Sequence, residues 1–428
     1  MTFSKDQEIA IRRIKYGKGP FLLTGPAGSG KSYVIDHIRK EAGHVVTATT
    51  GIAAQLVNGR TIHSFCSIHP NFGAVSSNKA DQRVRSCRTL IIDEISMASD
   101  GLLLNIFQRF AMANHHPKLV MVGDFLQLPP VNGQYAFKSH LWKDVEILAL
   151  STSHRQSDTD FINALSDLRV GNFSDRLLAL IKERKVSSLP TDCTQLFAYR
   201  NSVEEMNNRM LQSLPGQVMC SNWRVYSENA KKDYLDPSRA RFPAQLLLKV
   251  GARVVMLNNK NDPFHPETPI WVNGSTGIIV RISEKEVEVR LDRGNKTVLV
   301  KEEAETIYDG NGKEEFTVTQ FPMMLAWALT IHKAQGMTLD RVGVDLRGHF
   351  DPGQSYVAIS RARTKDGLFL VGDLTEIPVN NEALALCGSP APIVDLTPDE
   401  VANAPKDTFE EFNLYNQERP KKKKKRRF

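Results

Sequence analysis

The clearest pattern at the start of the chain is an apolar run, Phe21-Leu22-Leu23, that meets a glycine-rich segment at Gly25 and resumes as Tyr33, Val34, Ile35 and Ile38 at helical spacing. That order predicts a buried strand, a tight turn and a helix. Leu90-Ile91-Ile92 is a second short run, ending on Asp93 and Glu94, and Lys118–Val122 is a third, running into Gly123-Asp124. Uninterrupted apolar strands between helical segments predict an α/β fold with parallel sheets. Between about Ala244 and Thr319 the pattern changes. Arg253–Leu257, Thr276–Val280 and Glu286–Leu291 are short strand-like runs, the last with period two, and Asn273-Gly274 and Arg293-Gly294-Asn295 are turn signals. These segments predict a small β-barrel inserted into the second half. Pro322–Ala328 is apolar throughout and predicts a core helix, with Trp327 packing inside it rather than stacking on a base.

Composition adds bounds. The 428 residues suggest two to four domains, and 41% hydrophobic with 24% charged residues is ordinary for a globular chain. Five scattered cysteines without a C-x-x-C pair signal neither a zinc site nor a disulfide framework; reduced thiols in a cytosol-like compartment are expected. Neither a signal-peptide core nor a run long enough to span a membrane is present in the sequence. Seven of the last eight residues, 421–428, are Lys or Arg; without them the 55 bases fall to 48, equal to the 48 acids. The charge excess therefore sits in a C-terminal tail, preceded by an acidic stretch from 393. Any polyanion site in the body must come from local arrangement.

Three segments carry chemistry. Gly25-Pro26-Ala27-Gly28-Ser29-Gly30-Lys31-Ser32 between a strand and a helix is a phosphate-binding loop. Its glycines let backbone N–H groups converge on phosphate oxygens at a helix N-terminus. Lys31 is placed to reach the β/γ-phosphates and Ser32 to hold Mg²⁺. Asp93 and Glu94 stand at the carboxyl end of a strand, where ligands bind in open α/β sheets. Asp93 suits the metal's water shell and Glu94 the attacking water. Adjacent acids favour hydrolysis over transfer to a bound hydroxyl. Gln127, after the third strand, can reach a γ-phosphate or its water.

Gly123-Asp124-Phe125-Leu126-Gln127-Leu128-Pro129-Pro130-Val131 resembles the third motif of the PIF-type (petite integration frequency) 5′-to-3′ DNA helicases of superfamily 1B. The resemblance continues through Thr49-Thr50-Gly51-Ile52-Ala53-Ala54, Gly59–Phe65, Ala136–Trp142, His154-Arg155-Gln156, Thr330–Gly336 and Gly353–Arg363. It implies two RecA-like domains using ATP and Mg²⁺, with a small wedge insertion in the first and the barrel in the second. It gives Gln7 to adenine, adds Tyr33 and Gly336 to the nucleotide-binding set, and gives Arg155 and Arg361 to the γ-phosphate; Arg363 stays undecided. It gives Thr50, Gly51, His63, Ser64, Phe65, Thr330, His332 and Lys333 to single-stranded DNA, with Phe65 equally readable as a core aromatic. The hairpin that splits duplex is placed at about 66–87 by analogy alone.

The domain boundaries read as 1–152 for the first motor domain, 153–243 and 320–392 for the second, 244–319 for the barrel, and 393–428 for the acidic linker and basic tail. The implied activity is an ATP-dependent helicase acting on single-stranded and forked duplex DNA in replication, repair or recombination. The alternative is an ATP-dependent DNA-binding switch that does not move. No Asn-Lys-x-Asp guanine box supports a GTPase. Asn114-His115-His116-Pro117 stands where the family carries Pro-Phe-Gly-Gly, and the long N-terminal extension of its eukaryotic members is missing; a compact bacterial or viral member is expected. Without coiled-coil heptads a monomer is expected. The location follows the host: cytoplasmic in bacteria, or nuclear through the tail in a eukaryote.

Overall fold

The structure is a computed structural model; it describes residues 3–49, 53–54, 57, 59–69, 73–74, 78–151, 158–226, 240, 242–264, 269–308, 314–347, 351–388 and 390–402. The first sheet contains β1 (Phe21–Thr24), β2 (His44–Ala48), β3 (Arg60–Thr61), β4 (Thr89–Asp93), β5 (Lys118–Val122) and β6 (Glu146–Ala149). Their order is β3-β2-β4-β5-β1-β6, with every pairing parallel. Phe21 and Leu23 pack with Ala10, Ile14, Val34 and Ile35, from helices α1 (Lys5–Tyr16) and α2 (Lys31–Ile38). Leu22 faces the other way, onto Ile106 and Phe110 of α3 (Asp100–Met112). Both faces are covered, which is why these strands read as unbroken apolar runs.

The second sheet has order β8-β7-β9-β10, again all parallel, from β7 (Thr194–Phe197), β8 (Ala328–Thr330), β9 (Val342–Asp345) and β10 (Leu368–Val371). Helices α4 (Thr159–Arg169) and α5 (Gln354–Ile359) pack on it through Phe161, Leu165, Leu168, Val357 and Ile359. The chain is thus α/β with two parallel sheets.

An antiparallel module interrupts the second half. Its largest sheet runs Thr297–Lys301, Glu286–Leu291, Thr276–Ile282, Arg253–Met256, Met323–Leu325. Met219–Asn222 and Arg224–Tyr226 pair with Gln245–Leu248 and Glu314–Gln320, so the β-rich region draws strands from beyond 244–319 on both sides. The helix expected over 322–328 is not formed. Met323–Leu325 pairs with Arg253–Met256, and Ala328–Thr330 enters the second motor sheet. An apolar segment buried on all sides has no periodicity to separate strand from helix. Trp327 is in the core, as its packing role required.

A second departure lies at the C-terminal side. After β10, helix Asn381–Cys387 returns to the first domain, where Ala383 and Cys387 join that domain's core beside Leu22 and Met121. Lys138 pairs with Glu382, and Arg12 makes a two-pronged contact to Asp395 at 3.1 and 2.5 Å. The segment assigned to the second domain and to a linker is, from 381 to 395, a strap across the first. The basic tail lies outside the described residues. Among the described residues no helix is long and apolar enough to cross a membrane.

Candidate nucleotide and DNA site

β1 ends at Thr24 and the phosphate loop turns at Gly25. A Cβ there would meet Leu150 O at 2.6 Å and Ser29 Oγ at 2.8 Å, at a φ of +152°, so only glycine fits the turn. Gly30, left-handed, opens α2 directly on Lys31. The Lys31 ammonium folds over the loop and donates to Gly25 O (2.7 Å) and Pro26 O (3.0 Å). Burial pulls its pKa down, while Asp124, Glu94 and Asp93 favour its charged form. Gln7 is buried and donates to Ser29 O at 3.1 Å, while its own Oε1 accepts from Ser4 N. Tyr33 packs against Phe3 with ring centroids 4.6 Å apart and ring planes tilted by 35°.

The acids come from β4. Burial, then the neighbouring Glu94, raises the Asp93 carboxyl above its usual range. Glu94 adopts φ 53°, ψ 45°, a left-handed backbone uncommon for a side chain of its kind. Asp93 Oδ1 accepts its N–H at 2.9 Å, and Thr49 Oγ1 donates to its carbonyl at 3.0 Å. Such strain persists only where surrounding contacts fix it, and it concentrates at functional sites. A half-buried acid pair beside a phosphate-binding lysine fits a divalent cation. Ser32 would supply a hydroxyl and Asp93 a carboxylate, a sparse protein set that suits Mg²⁺ held largely by nucleotide and water. Among the described residues no cluster of three or more His, Cys, Asp or Glu would hold a metal without the nucleotide.

The second motor domain meets the first at four points around this site. Tyr356 Oη accepts the Ala27 N–H at 2.8 Å; burial pushes that phenol up to about 12, so it stays protonated. Gln335 Nε2 donates to Glu94 Oε2 at 3.1 Å. Gly353 lies on the Leu126–Gln127 backbone so closely that a Cβ would fall 2.6 Å from Gln127 O. Arg169, at the end of α4, forms a bidentate pair with Asp124 at 2.8 Å for each bond and donates to Cys387 O at 3.2 Å. Burial raises the Asp124 carboxyl, but Arg169 outweighs it and leaves the group below its ordinary value. A cavity of about 850 Å³ beside the loop is walled by Gly25, Pro26, Leu150, Arg169, Cys387 and Ile393. Neither Arg169 nor Tyr356 was singled out in the sequence. Tyr356 lay within a recognised motif, but an arginine at a helix end had no signal at all.

Arg361 is only 2% exposed, with its guanidinium donating to Val357 O (2.9 Å), Met337 O (3.3 Å) and Ser360 Oγ (2.9 Å). Arg363 pairs with Asp340 at 2.6 Å. Gln127 is buried beside Gly353. Gly336 needs its φ of +79° to follow Gln335. Arg155, Thr50 and Gly51 lie outside the described residues.

Of the DNA candidates, Thr330 caps the short helix Ile331–Ala334 by accepting from Lys333 N, leaving His332 half-buried and Lys333 exposed. Burial lowers the pKa of both His332 and His63. Ser64 Oγ is buried with no partner among the described residues. Phe65 is a correction: it is 2% exposed, within the core of the first domain, with the Arg83 guanidinium 5.8 Å from its ring centre. A base has no face of that ring to stack on. Of the wedge segment, helix 78–85 is described and is anchored by Asp81, which pairs with the buried Arg109 at 2.7 Å.

Known proteins agree with this arrangement. The AAA domain family matches residues 2–190. An ATP-dependent DNA helicase Pif1 of Bdellovibrio bacteriovorus is 35% identical over 87% of this chain and 88% of its own length. The human ATP-dependent DNA helicase PIF1 is 34% identical over 85% of this chain, which spans 60% of that longer relative. The crystal structure of a Bacteroides Pif1 in complex with ADP-AlF4 superposes with a TM-score of 0.76 at 27% identity, covering 90% of this chain and 96% of that one. The Bacteroides protein is also known bound to single-stranded DNA. With its phosphate loop, acid pair and interdomain contacts in place, the chain belongs to the Pif1 family of ATP-dependent DNA helicases.

Proposed function

We propose that this protein hydrolyses ATP between its two motor domains to move 5′ to 3′ along single-stranded DNA and separate duplex ahead of it. The observation that carries this reading is the contact of second-domain residues with the nucleotide loop and with the acid pair beside it: Tyr356 on Ala27 and Gln335 on Glu94. Occupancy of the loop by phosphates then bears directly on how the domains sit together. Lys31 neutralises the β/γ-phosphates, and Ser32 and Asp93 hold Mg²⁺, which supplies charge stabilisation to the transferring phosphoryl group. Glu94 takes the proton of the attacking water, and Gln127 orients that water or the γ-phosphate. Arg155 and Arg361 supply positive charge to the γ-phosphoryl; Arg361 does so by exchanging Val357 O and Met337 O for phosphate oxygens. Gln7 and Tyr33 border the base, and Gly336 lets the chain turn beside the nucleotide.

DNA runs across both domains. Thr50, Gly51, His63 and Ser64 grip it from the first, and Thr330, His332 and Lys333 from the second. Phosphate contacts of this kind hold a strand without reading its sequence. Alternate grip by the two halves converts closure into stepping, and the segment 66–87 meets the duplex. The test is ATP turnover with and without an oligothymidylate, followed by unwinding of 5′-tailed and 3′-tailed duplexes. Strong stimulation and a preference for the 5′ tail are expected. A turnover rate indifferent to DNA sinks the motor and leaves a binding switch; a preference for 3′ tails overturns the polarity.

A further inference from the structure

The side chain of Glu94 is held from far along the chain. Gln335 lies 241 residues away, is 7% exposed, and donates its amide N–H to Glu94 Oε2 at 3.1 Å. Its carbonyl Oε1 is buried and has no partner among the described residues. A buried acceptor left unpaired is costly and calls for an explanation. The amide orientation is fixed by chemistry, since only the NH₂ end can donate to a carboxylate.

The surroundings give the explanation. Gln335 closes the turn that begins at Thr330: its N–H donates to His332 O at 3.3 Å, and Thr330 Oγ1 accepts from Lys333 N at 3.2 Å. The candidate DNA contacts Thr330, His332 and Lys333 therefore share one hydrogen-bonded turn with the residue that holds Glu94. On the other side, Thr49 Oγ1 fixes the Glu94 carbonyl, and Thr49 directly precedes Thr50-Gly51. One proposed DNA-gripping segment from each domain thus adjoins a residue bonded to the same strained Glu94.

We propose that Gln335 is a positioning residue for ATP hydrolysis. It holds Glu94 Oε2 through its N–H and presents Oε1 to one hydrogen of the attacking water. Glu94 Oε1 takes the water's other proton as the water oxygen bonds to the γ-phosphorus. The bond from that phosphorus to the β–γ bridging oxygen breaks, its electron pair leaves on ADP, and inorganic phosphate is the second product. DNA that orders the Thr330–Lys333 turn sets Gln335, and hence the water, in place. The inference rests on Glu94 as the base.

The test is steady-state ATP hydrolysis by the full chain at saturating oligothymidylate, comparing wild type with Gln335→Met, Gln335→Asn and Glu94→Gln. Methionine keeps the volume without hydrogen bonds, and asparagine keeps a buried amide one methylene too short. Each is expected to lower kcat roughly tenfold to a hundredfold, while KM for ATP and Kd for the oligonucleotide stay within about twofold. Loss of thermal stability in the methionine variant leaves the asparagine variant to decide. Full turnover in either folded variant overturns the proposal. So does a rise in KM and Kd in step with the fall in kcat, which marks a merely structural role. Normal hydrolysis by Glu94→Gln removes the base assignment instead, so the two failures are told apart.

Discussion

Arg169→Met is the most demanding test of how the domains are joined. Arg169 donates Nε to Asp124 Oδ2 and Nη2 to Oδ1, both at 2.8 Å, and Asp124 is fully buried. Without the guanidinium, the Leu126 N–H at 3.2 Å is the hydrogen bond that remains to this carboxylate among those described. Removing one partner of a buried pair costs about 3–5 kcal/mol, because the other charge is left uncompensated. Burial already raises Asp124, and Arg169 is what brings it down. In the variant Asp124 is expected to bind a proton in the folded state that it lacks in the unfolded chain. A folded pKa above the unfolded one means stability falls as pH rises, so the cost should be smaller at pH 5 than at pH 8. Apolar replacement of both partners, Asp124→Leu with Arg169→Met, should recover most of the loss. The assay is urea denaturation of wild type, both single variants and the double variant at the two pH values. A loss below about 1 kcal/mol for Arg169→Met, or a double variant as unstable as the two singles summed, would refute the reasoning. Because Asp124 also favours the charged Lys31, the double variant should still bind ATP more weakly than wild type, read as a higher KM.

Three further outcomes are expected. Lys31→Ala should abolish hydrolysis yet retain binding of an oligonucleotide, measured by fluorescence anisotropy. Arg176, helped by the Ser174 hydroxyl and the Asn172 amide, holds the Asp167 carboxyl down at about 2. Its folded pKa is depressed, so Asp167→Asn should cost about 2 kcal/mol at neutral pH, and the gap from wild type should close as pH falls from about 4 to about 2. Deleting residues 421–428 removes seven bases; it should lower DNA affinity and flatten its salt dependence while DNA-stimulated turnover persists. An inactive truncation would place the tail inside the mechanism.

The nucleotide loop was legible because its chemistry is local. Eight consecutive residues between an apolar run and a helical pattern define the turn, the backbone donors and the lysine, and physics within one turn needs no distant partner. The acid pair was legible for a related reason, since it closes a short buried strand, and Gln127 follows shortly after another. Residue type without packing was a weaker guide. Phe65 looked equally suited to a base or a core, and its place under Arg83 was settled by a helix some 18 residues on. The apolar stretch at 322–328 looked helical, and its pairing with strands about 70 and 130 residues upstream made it two strands instead.

Residue order alone implies that this chain binds ATP on a parallel α/β scaffold, and the order of its motifs points to a DNA motor. It also fixed the balance of charge between a neutral body and a basic end. Only folding brings together the residues around the phosphate loop: Tyr356 on Ala27 across 329 positions, Gln335 on Glu94 across 241, Arg169 on Asp124, and the strap that carries Cys387 back to Thr24. Contacts of that span depend on strand order and on the docking of one sheet against another. No local pattern encodes them, because a side chain's partner is chosen by the packing of everything between.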